Sequence, residues 1–165
     1  MRGDCCNSCK ARRCVPPEFD RVFLIFPISA MQLKNLTDGA TLSLPDDLLW
    51  IDEHAWSPAV STVSYLLNGA LLVQSAVRQA GRPVTLAGAA DMAWVTRAVV
   101  NTLHAWTALP LAATTGSFEL TLLDVRVFTV AFRHSETAVE AEPVKGFPAR
   151  SESDFYRITL RLMQI

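Results

Sequence analysis

The sequence predicts an α+β fold that is mostly β: an antiparallel barrel or sandwich with one helix, at about residues 96–109, packed on it. Three observations carry this expectation. Short stretches alternate apolar with polar residues at a period of two, clearest in Thr41-Leu42-Ser43-Leu44, in Phe118 to Leu122 and in Tyr156 to Ile165. Turn dipeptides, above all Asp38-Gly39 and Asn68-Gly69, punctuate them. One segment breaks the pattern, because from Thr96 to Leu109 the apolar residues recur at helical spacing.

Taken in order, Asp38-Gly39 is a turn and Thr41 to Leu44 the first strand, ended by Pro45. Leu48 to Ile51 is a second short apolar run. Asp52-Glu53-His54 interrupts it, and Trp56 precedes a turn at Ser57-Pro58, so Trp50 and Trp56 suggest a corner where large rings cover one end of a core. From Val60 to Leu67 the residues suit a strand, with Val63 and Tyr65 on one side and Thr62 and Ser64 on the other. Asn68-Gly69 then predicts a tight two-residue hairpin of type I′, because both residues tolerate positive φ. Leu71 to Arg78 returns, Gly81 to Pro83 turns, and Val84-Thr85-Leu86 continues, which reads as a meander.

In the helix, Val99, Val100, Leu103, Trp106 and Leu109 form the apolar stripe. Thr96 is the expected N-cap and Pro110 ends the run. Phe118 to Leu122 and Arg126 to Arg133 flank a turn at Asp124-Val125 and predict a second hairpin. Ala138 to Val144 reads as a further strand and residues 146–154 as a loop. In the closing strand Ile158, Leu160 and Leu162 face one way and Arg157, Thr159 and Arg161 the other, so it is expected to pair inside the sheet.

The chain has 165 residues, of which 50% are hydrophobic and 19% charged, enough apolar surface for a substantial core. The domain is expected to run from Met31 to Ile165, with residues 1–30 as a separate extension. The two parts differ in charge: residues 1–30 carry five basic and three acidic residues, and the remainder ten basic and thirteen acidic. No basic stripe of the kind that neutralises phosphate is present, so a nucleic-acid partner is not expected. No apolar run reaches the length of about 20 residues that a membrane-spanning helix needs. Val22 to Met31 is short and contains Pro27, and Glu18 and Asp20 beside it argue against a secretory signal.

All four cysteines, Cys5, Cys6, Cys9 and Cys14, lie in the extension. Four thiolates suffice for a zinc ion, and they are the metal candidates of this sequence. Their spacing leaves little chain to wrap an ion. An internal start at Met31, or a flexible tail, accounts for the same composition shift.

For catalysis the sequence offers no GxSxG, GxGxxG, P-loop or HExxH. Asp52, Glu53 and His54 form the best polar cluster, yet neighbours in an extended turn point in different directions. His104 and His134 lack a sequence partner. Arg133 with Glu140 and Glu142 is expected to form cross-strand ion pairs. Trp50, Trp56, Trp94 and Trp106 read as packing residues, with a ligand pocket as the other reading. No enzyme, catalytic residue or cofactor is predicted.

Six segments together resemble a family: LPDDLLWIDEHAWSP, NGALLVQSAVRQAGRPVTLAG, AWVTRAVVNTLHAW, FELTLLDVRVFTVAFRH, VEAEPV and YRITLRLMQI. They are similar to small tail components, of the tail-tube or distal-tail kind, of long-tailed bacteriophages and prophages. The resemblance spans Met31 to Ile165. It departs at Asp124-Val125-Arg126, where Asp-Gly-Arg is expected and Val125 suits a positive φ poorly. The resemblance implies a structural, virion-located protein, assembling as a ring with copies of itself and with other tail proteins. The alternatives are a small β-barrel that binds a ligand or peptide, and an envelope-degrading hydrolase.

Overall fold

The first strand comes earlier than the alternation from Thr41 announces. In a computed structural model that describes residues 30–112, 115–147 and 151–165, β1 is Gln32–Asn35, with Leu33 fully buried. It forms a hairpin with β2 (Thr41–Ser43) across the turn at Asp38-Gly39. Gly39 holds φ at +74°, and the buried Asn35 secures the turn by accepting the Thr37 N–H at its Oδ1. The residues expected to open the domain as a lead-in therefore make a strand of their own.

β3 (Leu49–Trp50) is short, and β4 (Ala59–Tyr65) and β5 (Leu71–Val77) follow as a long hairpin. Then come β6 (Pro83–Ala87), β7 (Trp94–Thr96) and the helix α1 (Arg97–Thr107). The chain closes with β8 (Phe118–Thr121), β9 (Val127–Phe132), β10 (Val139–Pro143) and β11 (Phe155–Gln164).

Nine of these strands make one antiparallel sheet in the order β2-β1-β8-β9-β11-β6-β3, with β10 and β7 also paired to β11. The sheet does not close into a barrel, and a sandwich-like arrangement describes it. The fold is mostly β with one packed helix, as the alternating segments imply.

The closing strand is the axis of the sheet. Its alternation places Ile158, Leu160 and Leu162 in the core with no exposure, and four strands bond to it: β6, β7, β9 and β10. A central position satisfies both backbone edges along most of its length, which an edge strand cannot do. On the opposite face, Arg157 pairs with Glu142 and Arg161 with Glu140 at 2.8 Å. Arg133 does not take these partners as the sequence suggested. It pairs with Glu136 three residues on, because β11 rather than β9 lies beside β10.

The helix packs Val100, Leu103 and Trp106 into the core and lies against β7, β10 and β11. The Trp106 ring meets Phe118 at 5.5 Å, and Phe118 meets Phe132 edge-on at 4.9 Å, so the aromatic rings run from helix to sheet. Thr96 stands at the N-cap with extended backbone, but its side chain makes no capping bond. The first helical N–H groups instead donate to chain carbonyls, Arg97 to Asp154 and Ala98 to Glu152.

The expected meander fails at β4 and β5. These strands bond only to each other, as a separate two-stranded sheet, and β6 joins β11 and β3 instead. The turn between them also differs from the two-residue form. Leu66 N–H donates to Ala70 at 2.9 Å and Gly69 N–H to Leu66 at 2.9 Å, so the loop is Leu67-Asn68-Gly69. Only Gly69 is at positive φ, +81°, while Asn68 caps Ala70 N–H through its Oδ1. This is a type I turn followed by a left-handed residue, the usual three-residue hairpin.

Candidate interaction surface

Seven cross-strand pairs, from Ala59 opposite Val77 to Tyr65 opposite Leu71, build the β4–β5 hairpin. Since side chains alternate across a strand, the pairs Ala59/Val77, Val63/Val73 and Tyr65/Leu71 lie on one face with Ser61/Ser75. The other face carries Val60/Ala76, Thr62/Gln74 and Ser64/Leu72. Every residue of both strands is exposed except the half-buried Val60, and at the tip Leu67 is fully exposed. The hairpin is an arm held off the body, with one mainly apolar face in water.

The arm carries no charge from Ala55 to Val77. Exposed strand edges are commonly protected by lysine, proline or a bulge, and within the two strands none of these occurs. The long uncharged run is the sequence feature that distinguishes this hairpin from the others, and the reading as a meander does not use it. Its period-two alternation alone does not distinguish it, because alternation is the same whether a face is covered or bare.

A packed root fixes the arm to the body. Arg78 N–H donates to Pro58 at 2.8 Å and ties the two legs together. Next to it the Arg82 guanidinium lies 4.5 Å from the Trp50 ring centre and 5.9 Å from that of Trp56, and donates to the Glu53 carbonyl at 2.9 Å. Cation–π contacts of this kind contribute about 0.5–1 kcal/mol each, more when water is excluded. Asp52 locks the same corner: its Oδ1 accepts Trp50 Nε1–H at 2.6 Å and Thr85 N–H at 2.8 Å, and its Oδ2 accepts the Thr85 hydroxyl at 2.7 Å.

Beside this root lies a cleft of about 170 Å³. Met31, Leu48, Trp50, Leu86 and Leu122 give it an apolar floor, and Leu123 forms part of the wall. Asp46, Glu53, Asp124 and Arg126 stand at its rim. Arg126 joins the two sides, bonding Glu53 at 2.6 Å and also Asp124. Those carboxylates, Glu53 first, raise the Arg126 pKa above its ordinary value. Exposed Leu49, Ile51, Val125 and Val127 flank these lining residues along the chain.

The sequence candidates fall in different places. Asp52 points inward as described, Glu53 turns to Arg126, and the His54 side chain is 93% exposed, so the polar triplet does not converge. Trp50 and Trp106 are buried in the core, Trp56 flanks the arm root, and Trp94 is exposed next to Phe155. The tryptophans do not line one pocket. Cys5, Cys6, Cys9 and Cys14 lie outside the described residues, and among the described residues no group of three or more His, Cys, Asp or Glu is placed to hold a metal. No described helix is long and apolar enough to cross a membrane.

Comparison of the chain with known protein families, curated proteins and solved structures finds no match.

Proposed function

We propose that this chain is a structural component of a bacteriophage or prophage tail, at the tail tip, distal tail or baseplate ring, and that it acts by assembly. The observation that carries this reading is the β4–β5 arm. An uncharged hairpin with an apolar face exposed and two open edges is poorly suited to stay in water and well suited to be covered by protein. Each valine or leucine taken from half exposure to burial contributes on the order of 1 kcal/mol, so an arm with Val63, Leu71, Val73 and Val77 on one face gains appreciably from a partner. The similarity of six segments to small tail components supplies the kind of assembly.

The ligand-binding alternative has less behind it. The cleft beside Trp50 is smaller than the roughly 300–1,000 Å³ common for small-molecule sites. Mass spectrometry of purified particles from an inducible host, with electron microscopy of a gene deletion, tests the structural role. The protein is expected in the particle and the deletion is expected to give defective tails. Its absence from particles, with normal tails in the deletion, overturns the reading.

A further inference from the structure

We propose that two copies of this chain pair through β5, antiparallel and edge to edge, about a two-fold axis at Gln74. The contact needs a second copy and no tail protein, so it goes beyond the tail reading. Among the described strands β4 and β5 bond only to each other, so each has one open edge. A two-stranded ribbon is marginal in water, and further strands beside it are what stabilise it.

Of the two edges, that of β5 is the more open and the more apolar. All seven of its residues are exposed, whereas β4 has Val60 half-buried. Leu71, Val73 and Val77 stand on one face of β5 and Leu72 and Ala76 on the other, while Thr62 and Ser64 make the second face of β4 mostly polar. The β5 sequence LLVQSAV holds no charge, proline or glycine, the composition of strands that pair with their own kind. A second β5 brings no charge to be desolvated.

The hydrogen-bond phase of the arm fixes which residues bond outward. Arg78 N–H donates to the Pro58 carbonyl and Leu66 N–H to the Ala70 carbonyl, so bonded pairs alternate between these two and include Thr62/Gln74. Gln74 therefore turns its backbone groups to β4, and Leu71, Val73, Ser75 and Val77 turn theirs to the open edge. Antiparallel pairing centred on Gln74 sets Leu71 of one copy opposite Val77 of the other, and Val73 opposite Ser75. Every outward residue of β5 then lies in a bonded pair, and Gln74 meets Gln74 in the close, unbonded position. Moving the centre to Val73 or Ser75 leaves one end of the strand unpaired. The strand is thus complementary to itself, and the face with Val63, Tyr65, Leu71 and Val73 continues across four strands.

Two seven-residue edges bury little surface, at the low end of specific interfaces, so the dimer is concentration-dependent. The contact is isologous: it uses both β5 edges, sends the two arm roots to opposite ends of the new sheet, and stops at two copies.

The test uses the full chain in sedimentation equilibrium over a range of concentrations, where a monomer–dimer equilibrium is expected. Val73→Pro removes an outward N–H from each copy and leaves the β4–β5 bonds their donors; it is expected to weaken the dimer about tenfold or more. Val63→Pro makes the same change on the β4 edge and is expected to leave the dimer unchanged. A second measurement stands whether or not the proline variants fold. In a chain whose Cys5, Cys6, Cys9 and Cys14 are replaced by serine, Gln74→Cys is expected to form a disulfide between copies, with oxidised glutathione as the electron acceptor. The close unbonded pair brings the two Cα atoms to about 4.5 Å, within the disulfide range. Thr62→Cys, on the opposite strand, is expected to form far less.

A wild-type chain that stays monomeric throughout overturns the inference, as does equal weakening by Val63→Pro or equal cross-linking at the two cysteine positions. Growth beyond two copies also overturns it, in favour of head-to-tail pairing of β5 with β4. These outcomes are separate from the tail reading. A dimer cross-linked at position 74 from a chain absent from particles sinks the tail role alone, and a chain found in tails that never dimerises sinks the β5 contact alone.

Discussion

Val125 holds in the β8–β9 turn the left-handed backbone that Gly69 holds in the arm, φ +66° against +81°. The two turns share their bonding. Leu122 N–H donates to Arg126 as Leu66 donates to Ala70, Val125 N–H donates to Leu122 as Gly69 donates to Leu66, and Asp124 Oδ1 takes the place of Asn68 Oδ1. A β-branched side chain in this conformation is strained by roughly 1–2 kcal/mol. Glycine removes that strain but adds freedom to the unfolded chain. Val125→Gly is therefore expected to raise stability by about 0.5–1 kcal/mol, read as a higher denaturant midpoint at unchanged slope. A lower midpoint would show that the turn relaxes around valine without strain.

Gly69→Val should do the reverse, but locally. A Cβ at Gly69 meets nothing within 4 Å, so the backbone conformation is the only obstacle. The arm shares no strand pairing with the main sheet, so its loss leaves the core intact. The global unfolding temperature is expected to stay within about a degree, while amide exchange across 60–76 quickens about fivefold or more. A fall of several degrees would mean that the arm is an integral part of the cooperative unit.

How much of this was legible depended on what each residue pattern reports. Ile158, Leu160 and Leu162 alternate in the sequence and all three are fully buried, because a strand paired on both sides with one face on the core must alternate. The helix was equally plain, since Val100, Leu103 and Trp106 can share a face only at helical spacing. Gln32 to Asn35 was missed because one buried leucine between polar neighbours gives too short a pattern to distinguish from a tail. The arm was recognised as a hairpin and misplaced, because Val63 and Tyr65 alternate whether or not anything covers them. The cleft left no sequence signal at all. Its two sides come from segments far apart in the chain, joined where Arg126 bonds Glu53 across 73 positions.

Gly116 gives a strong contrast with Gly69. It also holds a positive φ, +74°, but a Cβ there would sit 2.5 Å from the Pro110 carbonyl oxygen and 2.9 Å from Leu111 Cα. Backbone atoms cannot move aside as a flexible side chain does, and this segment joins the helix to β8. Gly116→Ala is expected to lower stability by about 2 kcal/mol or more, with the loss seen in global unfolding. An unchanged melt would show that the stretch after Pro110 rearranges freely.

Asp52 and His54 stand two residues apart and should respond very differently to alanine. Asp52 is the acceptor for three donors drawn from Trp50 and Thr85, and its removal leaves Thr85 N–H, in a residue only 6% exposed, without that partner. An unsatisfied buried donor costs about 1–3 kcal/mol, and the Trp50 ring that stacks with Arg82 loses its anchor as well. Asp52→Ala is accordingly expected to lower stability by about 2–3 kcal/mol. Asp52→Asn keeps a carbonyl oxygen for the two donors at Oδ1 and should lose less, about 1 kcal/mol. His54, with its side chain in solvent and only Glu53 nearby at 3.9 Å, should change stability by less than about 0.5 kcal/mol as alanine. Denaturant unfolding of the three variants decides between this structural role and a solvated acidic turn. Equal, small effects at Asp52 and His54 would mean that the corner is held by the rings alone. A large effect at Asp52 partly rescued by asparagine would identify the carboxylate as what holds β3 to β6 and so sets the angle at which the arm leaves the body.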